Sequence, residues 1–388
     1  MEICMYNYIF TCNPKNSELT IYEFRKKDDS YHFITWLDEG VGVFETELSN
    51  EELCECIRVE PIIFVRHIFR LVEISSIHKF EDAIVSCCKN NMDKSASFTV
   101  QTRCSKKTSD SIENISAEIA ERLIREGYQL DVAGGQYIIS VFIDGEKVFW
   151  GIGNKKYNLS HWKGGMPHYS PTSQYHFVSR AEYKLLEALE CFDIDIKNME
   201  KGADLGAAPG GWTKVLVDCG LECTSIDPSF LKPEIAKNSK VKYYHMLVED
   251  YLKLKNEEQF DIVVNDMKMD VGKSVNIINQ FYDQIKEDGI VIVTFKLPHE
   301  YSYSSIKRWI GNFNGFQLIG ARQLFHNRSE ITVALKKRDE LRKKISKNVS
   351  NLQKNKNTRK LSKKLERKLN KKQNKKRKAE YPPEEASF

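Results

Sequence analysis

The sequence predicts an α/β protein whose C-terminal half holds an open, mostly parallel sheet. Residues 204–212 read DLGAAPGGW, a run of small residues suited to a tight turn between a short strand and a helix. Three later apolar runs rich in β-branched residues, at 260–266, 289–298 and 329–335, each begin or end at a charged residue. Strands of this kind carry polar side chains to the rim of a sheet, where open α/β folds bind their ligands.

The turn at 204–212 predicts a cofactor site. A dinucleotide site more often reads G-x-G-x-x-G, whereas Gly206, Gly210 and Gly211 are spaced differently. Asp227 follows the loop by roughly 20 residues, the distance at which a carboxylate meets a ribose diol. The pattern therefore favours a nucleoside without phosphates. The alternative is that the glycines only mark a strand-to-helix turn.

Four charged residues follow in the chain order Lys, Asp, Lys, Glu: Lys184, Asp266, Lys296 and Glu330. Together with the loop, this order resembles the FtsJ-type RNA 2′-O-methyltransferases, whose active site is a Lys-Asp-Lys-Glu tetrad beside S-adenosylmethionine. The resemblance covers residue 175 to about residue 336. It implies a Rossmann-like class I methyltransferase fold with a mostly parallel seven-stranded sheet. Taken alone, Lys184 is typical of an ordinary surface lysine.

The resemblance also implies S-adenosylmethionine as the cofactor. The residues expected to bind it are Gly206, Ala208, Pro209, Gly210, Gly211, Trp212, Asp227, Asp250 and Asp266. Asp250 is expected to accept a hydrogen bond from the adenine amino group, and an exposed helix-cap aspartate is the alternative. FtsJ-type enzymes often have Ala-Pro after an Asp-Met pair, whereas this chain reads DMKMD at 266–270. The nucleotide pocket is therefore expected to differ in shape.

The chemistry predicts a role for each member of the tetrad. A ribose 2′-hydroxyl is a poor nucleophile, and a lysine removes its proton only when neutral, although a free lysine has a pKa near about 10.4. Burial and a second ammonium lower such a pKa, so Lys296 beside Lys184 is the expected general base. Asp266 is expected to position Lys296 and to offset the sulfonium charge, and Glu330 to hold Lys184. The mechanism needs no metal, and the sequence has no C-x-x-C pair or zinc-like His/Cys cluster.

Between these motifs the apolar pattern places the remaining elements of the C-terminal half. Ser179 is a plausible N-cap for the helix that carries Lys184 and ends at Cys191. Pro298 is expected to end the strand that carries Lys296, because proline cannot donate to a following ladder. The other elements are helices at 212–219, 274–286 and 303–312, and strands at 241–246, 316–320 and 330–335.

The segment from FKLP at 295–298 to residue 335 is especially similar to the bacterial large-subunit rRNA 2′-O-methyltransferase M family. That family modifies a cytidine ribose in 23S rRNA and joins a THUMP-containing half to an FtsJ-type domain. RNA, above all large-subunit ribosomal RNA, is therefore the implied partner. Transfer RNA, another rRNA ribose and an mRNA cap are alternative substrates for the same reaction. A noncatalytic RNA-binding or ribosome-assembly factor is the alternative from a different class.

The domain organisation follows from composition and pattern. An accessory α+β domain is expected at 1–75, where 6–10 and 19–24 are both strand-like. At 76–153 the order of strand (97–103), helix (115–127) and hairpin around Asp144-Gly145 resembles a THUMP domain. The alternative is a generic α/β module, in which Arg103, Lys106 and Lys107 form a solvated face. The methyltransferase domain is expected at 176–336.

A polar linker is expected at 154–175, and it includes His161, Trp162, His168 and Tyr169. Trp162 and Tyr169 are suited either to stacking on unpaired bases or to anchoring the linker on a domain surface.

Charge divides the chain unevenly. The formal net charge is +5, but residues 336–388 alone hold 21 Lys or Arg and 6 Asp or Glu, so the preceding part is acidic. The tail at 337–388 is expected to be disordered and to tether the protein to RNA phosphates, with a solubilising or address tail as the alternative. Ten scattered cysteines, no apolar run near 18 residues and no secretory segment at the N-terminus predict a cytoplasmic protein outside membranes.

Overall fold

The computed structural model describes residues 4–27, 29–106, 108, 112–132, 134–160, 162–167, 169, 177–254 and 257–342. Lys107, His161, His168 and the tail beyond residue 342 lie outside these residues. Among these described residues, those up to 313 and those at 318–337 belong to one compact unit, and 314–317 group with 338–342. Within the described ranges, no helix is long and apolar enough to cross a membrane.

The N-terminal sheet has four antiparallel strands in the order β2-β3-β1-β4. Its strands are β1 (Tyr6–Cys12), β2 (His32–Asp38), β3 (Val41–Thr46) and β4 (Val65–Arg70). Its helices are α1 (Ser17–Lys27) and α2 (Asn50–Val59). The strand expected at 6–10 is therefore confirmed as part of β1.

The strand expected at 19–24 is wrong, because this segment lies inside α1. Thr20, Glu23 and Phe24 are its buried residues, and their spacing of three and four places them on one helical face. The Phe24 ring centroid lies 4.5 Å from that of Phe44 in β3. Packing against the aromatic core therefore outweighs the β propensity of the segment.

The second sheet has five strands in the order β5-β9-β8-β6-β7. Its strands are β5 (Glu73–Ser76), β6 (Ser97–Cys104), β7 (Gln129–Leu130), β8 (Tyr137–Asp144) and β9 (Lys147–Asn154). Its helices are α3 (Phe80–Asn91) and α4 (Ile112–Arg125). The predicted strand, helix and hairpin are confirmed, and Gly145 takes the positive φ of 61° that the hairpin turn requires.

The first two sheets share an apolar core. Ile9, Val43 and Phe69 from the N-terminal sheet form one buried cluster with Phe142 and Phe149 of β8 and β9. Residues on both sides of position 75 therefore pack together. The likeness of the second sheet to a THUMP domain stays a prediction.

The surface residues expected on the second sheet have different environments. Arg103 is half-buried, and its guanidinium lies so close to Gly164 that a Cβ there would be 2.4 Å from one of its nitrogens. Lys106 is exposed and pairs with Glu39 at 2.7 Å. Arg103 therefore packs against the linker, whereas Lys106 lies on a solvated face.

The described part of the linker is anchored to the C-terminal half of the chain. The Tyr169 hydroxyl donates to Glu190 Oε2 at 3.0 Å, and the Trp162 indole N–H also donates to Glu190. These contacts favour the anchoring interpretation of the two aromatic residues.

The third sheet has seven strands in the order β12-β11-β10-β13-β14-β16-β15. Its strands are β10 (Lys201–Leu205), β11 (Glu222–Ile226), β12 (Val241–Tyr244), β13 (Phe260–Asn265), β14 (Ile285–Lys296), β15 (Phe316–Arg322) and β16 (Glu330–Lys337). Its helices are α5 (Ala181–Cys191), α6 (Gly211–Asp218), α7 (Pro233–Ala236), α8 (Val248–Tyr251), α9 (Val271–Gln280) and α10 (Tyr303–Gly311). Strands β10 to β14 pair in parallel and β16 is antiparallel to β14, which confirms the predicted mostly parallel sheet.

Two predicted boundaries in this sheet are wrong. The helix expected at 274–286 ends at Gln280, because Ile285 already pairs with Phe260 at the start of β14. Helix α5 begins at Ala181 with Arg180 as its N-cap, whereas Ser179 Oγ accepts from the Ala181 N–H at 3.3 Å.

Polar contacts join two connections of the N-terminal region, at Asn16 and Ile63, to the loop between β15 and β16. Asn16 Nδ2 donates to Gln323 Oε1 at 2.8 Å, and the Tyr301 hydroxyl donates to Asn16 Oδ1 at 2.9 Å. The Gln323 N–H donates to the Ile63 carbonyl at 2.7 Å. The N-terminal sheet therefore helps to fix the chain just before Glu330.

Candidate active site

The glycine loop between β10 and α6 requires its glycines for two reasons. Gly206 and Gly210 have φ angles of 79° and 111°, in the left-handed region that other residues rarely adopt. A Cβ on Gly206 would lie 2.3 Å from Met267 Cγ, and one on Gly210 would lie 2.9 Å from Ile235 Cγ2. The loop is therefore a fixed backbone turn at the carboxyl end of β10, between the chain after β13 and helix α7.

Asp227 holds this loop from the end of β11. Its Oδ2 accepts the Ala208 N–H at 3.0 Å, and its Oδ1 accepts the Ser229 N–H at 2.6 Å. Each carboxylate oxygen has further acceptor capacity, and the residue is only half-buried. Asp227 is thus placed beside the loop, as predicted, where it can also accept from a ribose diol.

Trp212 is buried below the loop. Its side chain is 3% exposed and its indole N–H donates to the Ala181 carbonyl at 2.7 Å. It belongs to the apolar core that includes Leu185 of α5. The predicted role of Trp212 in cofactor binding is therefore restricted to fixing α6 against α5, because its side chain is not at the surface of the loop.

Asp250 lies apart from these buried contacts. It is in the short helix α8, its side chain is 51% exposed, and its Oδ1 pairs with Lys253 at 2.7 Å. This environment matches the alternative of an exposed helix aspartate. The adenine contact remains a proposal.

Asp204 is a site residue that the sequence reasoning missed. It is buried in β10 and accepts from the Thr213 hydroxyl at 2.7 Å. Burial, with the neighbouring Asp266 and Asp227 charges, raises the pKa of Asp204 to about 7. A carboxylate inside an otherwise apolar strand was the available signal. Asp204 is therefore not a fixed negative charge near pH 7, and Asp227, which follows β11 beside the loop, is the half-buried carboxylate that a ligand can reach.

The tetrad is assembled by strand pairing. Lys296 ends β14, Glu330 begins β16, and the antiparallel register makes them direct partners. Asp266 follows β13, whose last residue pairs in parallel with Val293 of β14. Lys184 comes from α5. The structure therefore brings all four predicted residues to one rim of the sheet.

Each carboxylate of the tetrad contacts both lysines. Glu330 lies 2.8 Å from the Lys296 ammonium through Oε1 and 2.7 Å from the Lys184 ammonium through Oε2. Asp266 pairs with Lys296 and lies 3.3 Å from Lys184. The four side chains are 14% to 19% exposed, so they are largely desolvated yet reachable from solvent. The two positive and two negative charges compensate one another.

The electrostatics correct the predicted state of Lys296. Burial lowers its pKa, but the Asp266 and Glu330 carboxylates outweigh burial and hold the pKa above its ordinary value. For Glu330, burial raises the pKa, but hydrogen bonds from Lys184 and Lys296 hold it below the ordinary value. The expected lowering of the Lys296 pKa by the Lys184 ammonium is therefore wrong, because the two carboxylates dominate. Lys296 is therefore protonated in this arrangement.

A cleft of about 380 Å³ opens beside the tetrad. Its lining includes Arg180, Tyr183, Lys184, His326, Arg328 and Glu330. Two tetrad residues thus form part of its wall, so a ligand in the cleft reaches the charged centre.

Residues 177–297 match the FtsJ-like methyltransferase family. They form an FtsJ-like methyltransferase domain. This domain contains the glycine loop, Lys184, Asp266 and Lys296, and Glu330 follows it in the sequence. The chain is accordingly a methyltransferase that uses S-adenosylmethionine, and the glycine turn with Asp227 beside it fits the nucleoside of this cofactor.

Curated relatives extend the similarity beyond this domain. The chain is 27% identical over 255 residues to Ribosomal RNA large subunit methyltransferase M of Pseudomonas savastanoi pv. phaseolicola, covering 62% of this chain and 69% of that protein. It is 26% identical over 260 residues to the protein of the same name in Pseudomonas fluorescens strain SBW25, covering 63% and 70%. Among solved structures, TrmN from Thermus thermophilus aligns with 86% of this chain and 100% of its own, at 12% identity and a TM-score of 0.35.

Proposed function

We propose that this protein methylates the ribose 2′-hydroxyl of RNA, with large-subunit ribosomal RNA as its substrate. The observation that carries the proposal is the tetrad of Lys184, Asp266, Lys296 and Glu330 beside the glycine loop. The names of the curated relatives support the choice of ribosomal RNA. A noncatalytic factor has no need to keep four compensated charges at a partly solvated rim, since each buried charge costs desolvation.

The residues that hold the cofactor are proposed to be the loop backbone at 206–211, Asp227 and Asp266, with Asp250 as a surface contact to adenine. Bound S-adenosylmethionine supplies a methyl group that its sulfonium activates for attack. The half-buried carboxylate of Asp227 lies beside the loop, where it favours a cation.

Lys296 Nζ is proposed to accept the proton of the 2′-hydroxyl. In the resting tetrad it is protonated, so it must first release that proton to water at the partly exposed rim and lose one of its carboxylate partners. When Asp266 or Glu330 turns to the incoming ribose, one of the two groups that raise the pKa of Lys296 is removed, and this pKa falls. Lys184 then holds the released carboxylate and orients the hydroxyl. Proton removal contributes a factor of about 10² to 10⁴.

The remaining segments are proposed to bind and place RNA. The second sheet, within the proposed THUMP-like domain at 76–153, would dock structured RNA, and the basic tail at 337–388 would tether phosphates without reading sequence. We also propose a cytoplasmic location, in which the ten thiols stay reduced.

The decisive experiment incubates the purified chain with methyl-labelled S-adenosylmethionine and RNA from cells that lack the gene. Large-subunit rRNA, transfer RNA and capped mRNA are offered separately, and 2′-O-methylnucleosides are mapped by mass spectrometry. We expect label in large-subunit rRNA and none with Lys296→Ala. If the label appears in another RNA, the proposed substrate is wrong and the proposed reaction stands. If none of the three RNAs gains 2′-O-methylation, the proposed reaction is wrong.

A further inference from the structure

An aromatic surface forms one side of the cleft beside the tetrad. The Tyr183 ring stacks on His326 with centroids 5.0 Å apart and planes 20° apart. Tyr169 stacks on the same tyrosine at 5.9 Å, and Phe177 lies 4.4 Å from it. All four rings are half-buried, and two of them, Tyr183 and His326, line the cleft. These two rings are the ones on which a planar ligand in the cleft can stack.

A buried carboxylate fixes the histidine of this surface. Glu187 is 3% exposed, and its Oε1 accepts the Phe325 N–H at 2.6 Å. Its Oε2 accepts the His326 backbone N–H at 3.0 Å and lies 2.7 Å from His326 Nδ1. With the carboxylate accepting at Nδ1, Nε2 is the ring nitrogen that can contact a ligand. The ring is therefore held in one orientation before any ligand arrives.

The charges around the cleft suit a phosphodiester. Arg180 and Arg328 are both exposed at its lining, while Lys184 and Glu330 are already compensated within the tetrad. The two guanidinium groups therefore give the cleft an excess of positive charge. Guanidinium groups bind phosphate oxygens through two parallel hydrogen bonds.

The volume fits one nucleotide. Ligand sites for small molecules span roughly 300 to 1,000 Å³, and the cleft of about 380 Å³ lies near the lower limit. A stacked duplex cannot enter a space of this size. An occupant must therefore be an unpaired nucleotide or one turned out of its helix, as in other enzymes that act on a nucleotide within RNA or DNA.

We propose that this cleft is the subsite for the target nucleotide, with its base on the Tyr183–His326 surface and its flanking phosphates at Arg180 and Arg328. The ribose then faces Lys184 and Glu330, next to Lys296, the proposed general base. This inference rests on the proposed function and adds which side chains select and place the nucleotide. It also requires the substrate position to be single-stranded or flipped.

The test uses the full chain with two substitutions in the cleft. Tyr183→Leu removes the stacking surface and is expected to lower kcat/KM for large-subunit rRNA by about tenfold or more. Tyr183→Phe keeps the ring and should recover most of this loss. Arg328→Gln is expected to weaken RNA binding and to reduce the salt dependence of binding by about one unit of log–log slope.

Controls separate this subsite from general charge and from the cofactor. Arg308, exposed on α10, provides the matched control Arg308→Gln, which should change neither kcat/KM nor the salt slope. Binding of S-adenosylhomocysteine, measured by calorimetry, should be the same in all variants. Thermal unfolding reports whether Tyr183→Leu has lost its fold, and the exposed Arg328 substitution tests the proposal in that case.

The outcomes distinguish the subsite from the reaction. If wild-type protein methylates RNA and both Tyr183→Leu and Arg328→Gln stay within twofold of it, the subsite is wrong and the proposed function stands. If wild-type protein forms no 2′-O-methyl product but both substitutions weaken rRNA binding relative to Arg308→Gln, the cleft binds RNA and the proposed reaction is wrong.

Discussion

The cofactor loop takes its shape from one continuous stretch, residues 204–229, whereas the tetrad takes its shape from side chains at 184, 266, 296 and 330. The loop is held by positive φ angles at Gly206 and Gly210 and by backbone N–H groups bound to Asp227. The tetrad is held by four mutual ion pairs. A change in the loop therefore acts through backbone geometry, and a change in the tetrad acts through charge balance.

Replacing Lys296 should distinguish the role of the tetrad from that of the cofactor loop most clearly. Lys296→Met keeps the length of the side chain but removes the proposed base, so the single-turnover methylation rate should fall by about 10² to 10⁴-fold. Calorimetric binding of S-adenosylhomocysteine should persist because the loop is untouched. Lys273→Met, at an exposed lysine of α9, is the matched control. Retention of more than a tenth of the wild-type rate would remove Lys296 from the role of base.

The pH dependence should distinguish the carboxylates of the two regions. Because its ion pairs hold the pKa of Lys296 above the ordinary value in the free enzyme, the neutral form is scarce at neutral pH. The value of kcat/KM for RNA, which reports the pKa values of the free enzyme, should therefore rise about tenfold per pH unit until that pKa is reached. Glu330→Gln removes one carboxylate that raises the pKa, so its profile should move to lower pH.

The loop acid provides the comparison for that pH experiment. Asp227→Asn should weaken cofactor binding and leave the profile, measured at saturating cofactor, in its original position. A wild-type rate that does not change with pH, or a Glu330→Gln profile displaced to higher pH, would contradict the proposed protonation state.

A methyl group in the loop should have the reverse effect of the Lys296 substitution. Gly210→Ala places a Cβ 2.9 Å from Ile235 Cγ2 at a φ of 111°, so cofactor affinity should fall by about tenfold. The rate at saturating cofactor should change much less. Gly311→Ala is the matched control, since a Cβ there meets nothing within 4 Å. Unchanged affinity in Gly210→Ala would mean that the loop adapts rather than acting as a fixed turn.

The smallest effect is expected at Asp250. If its carboxylate accepts a hydrogen bond from adenine, Asp250→Asn should lower cofactor affinity by roughly threefold to tenfold, the range of one ordinary hydrogen bond. Glu249→Gln changes the neighbouring exposed acid in the same short helix and should have no effect. Equal affinities for the two variants would assign Asp250 only to its surface pair with Lys253.

The sequence was sufficient to predict the C-terminal sheet and to select the four tetrad residues. Each tetrad residue except Lys184 lies at a strand end, and strand ends are readable from β-branched runs that stop at a charge. Lys184 was selected through its place in the motif. The seven-stranded sheet was implied by the resemblance to the FtsJ-type enzymes, and its strand order is given by the structure.

Long-range packing explains what could not be predicted. The segment at 19–24 has strand-like composition, but it forms a helix because Phe24 then packs against Phe44 in the aromatic core. The pKa of Lys296 depends on how many carboxylates reach it, which chain order does not specify. Glu187 and His326 are 139 positions apart, and only the fold makes them partners.

Lys296 and Glu330 face each other as register partners on adjacent antiparallel strands. The chain between them, residues 297–329, includes α10, His326 and Arg328. The ladder sets the two charges opposite each other, while the same connecting segment supplies the histidine and the arginine of the cleft. One stretch of chain therefore links the charged centre to the surface on which the target nucleotide is proposed to rest.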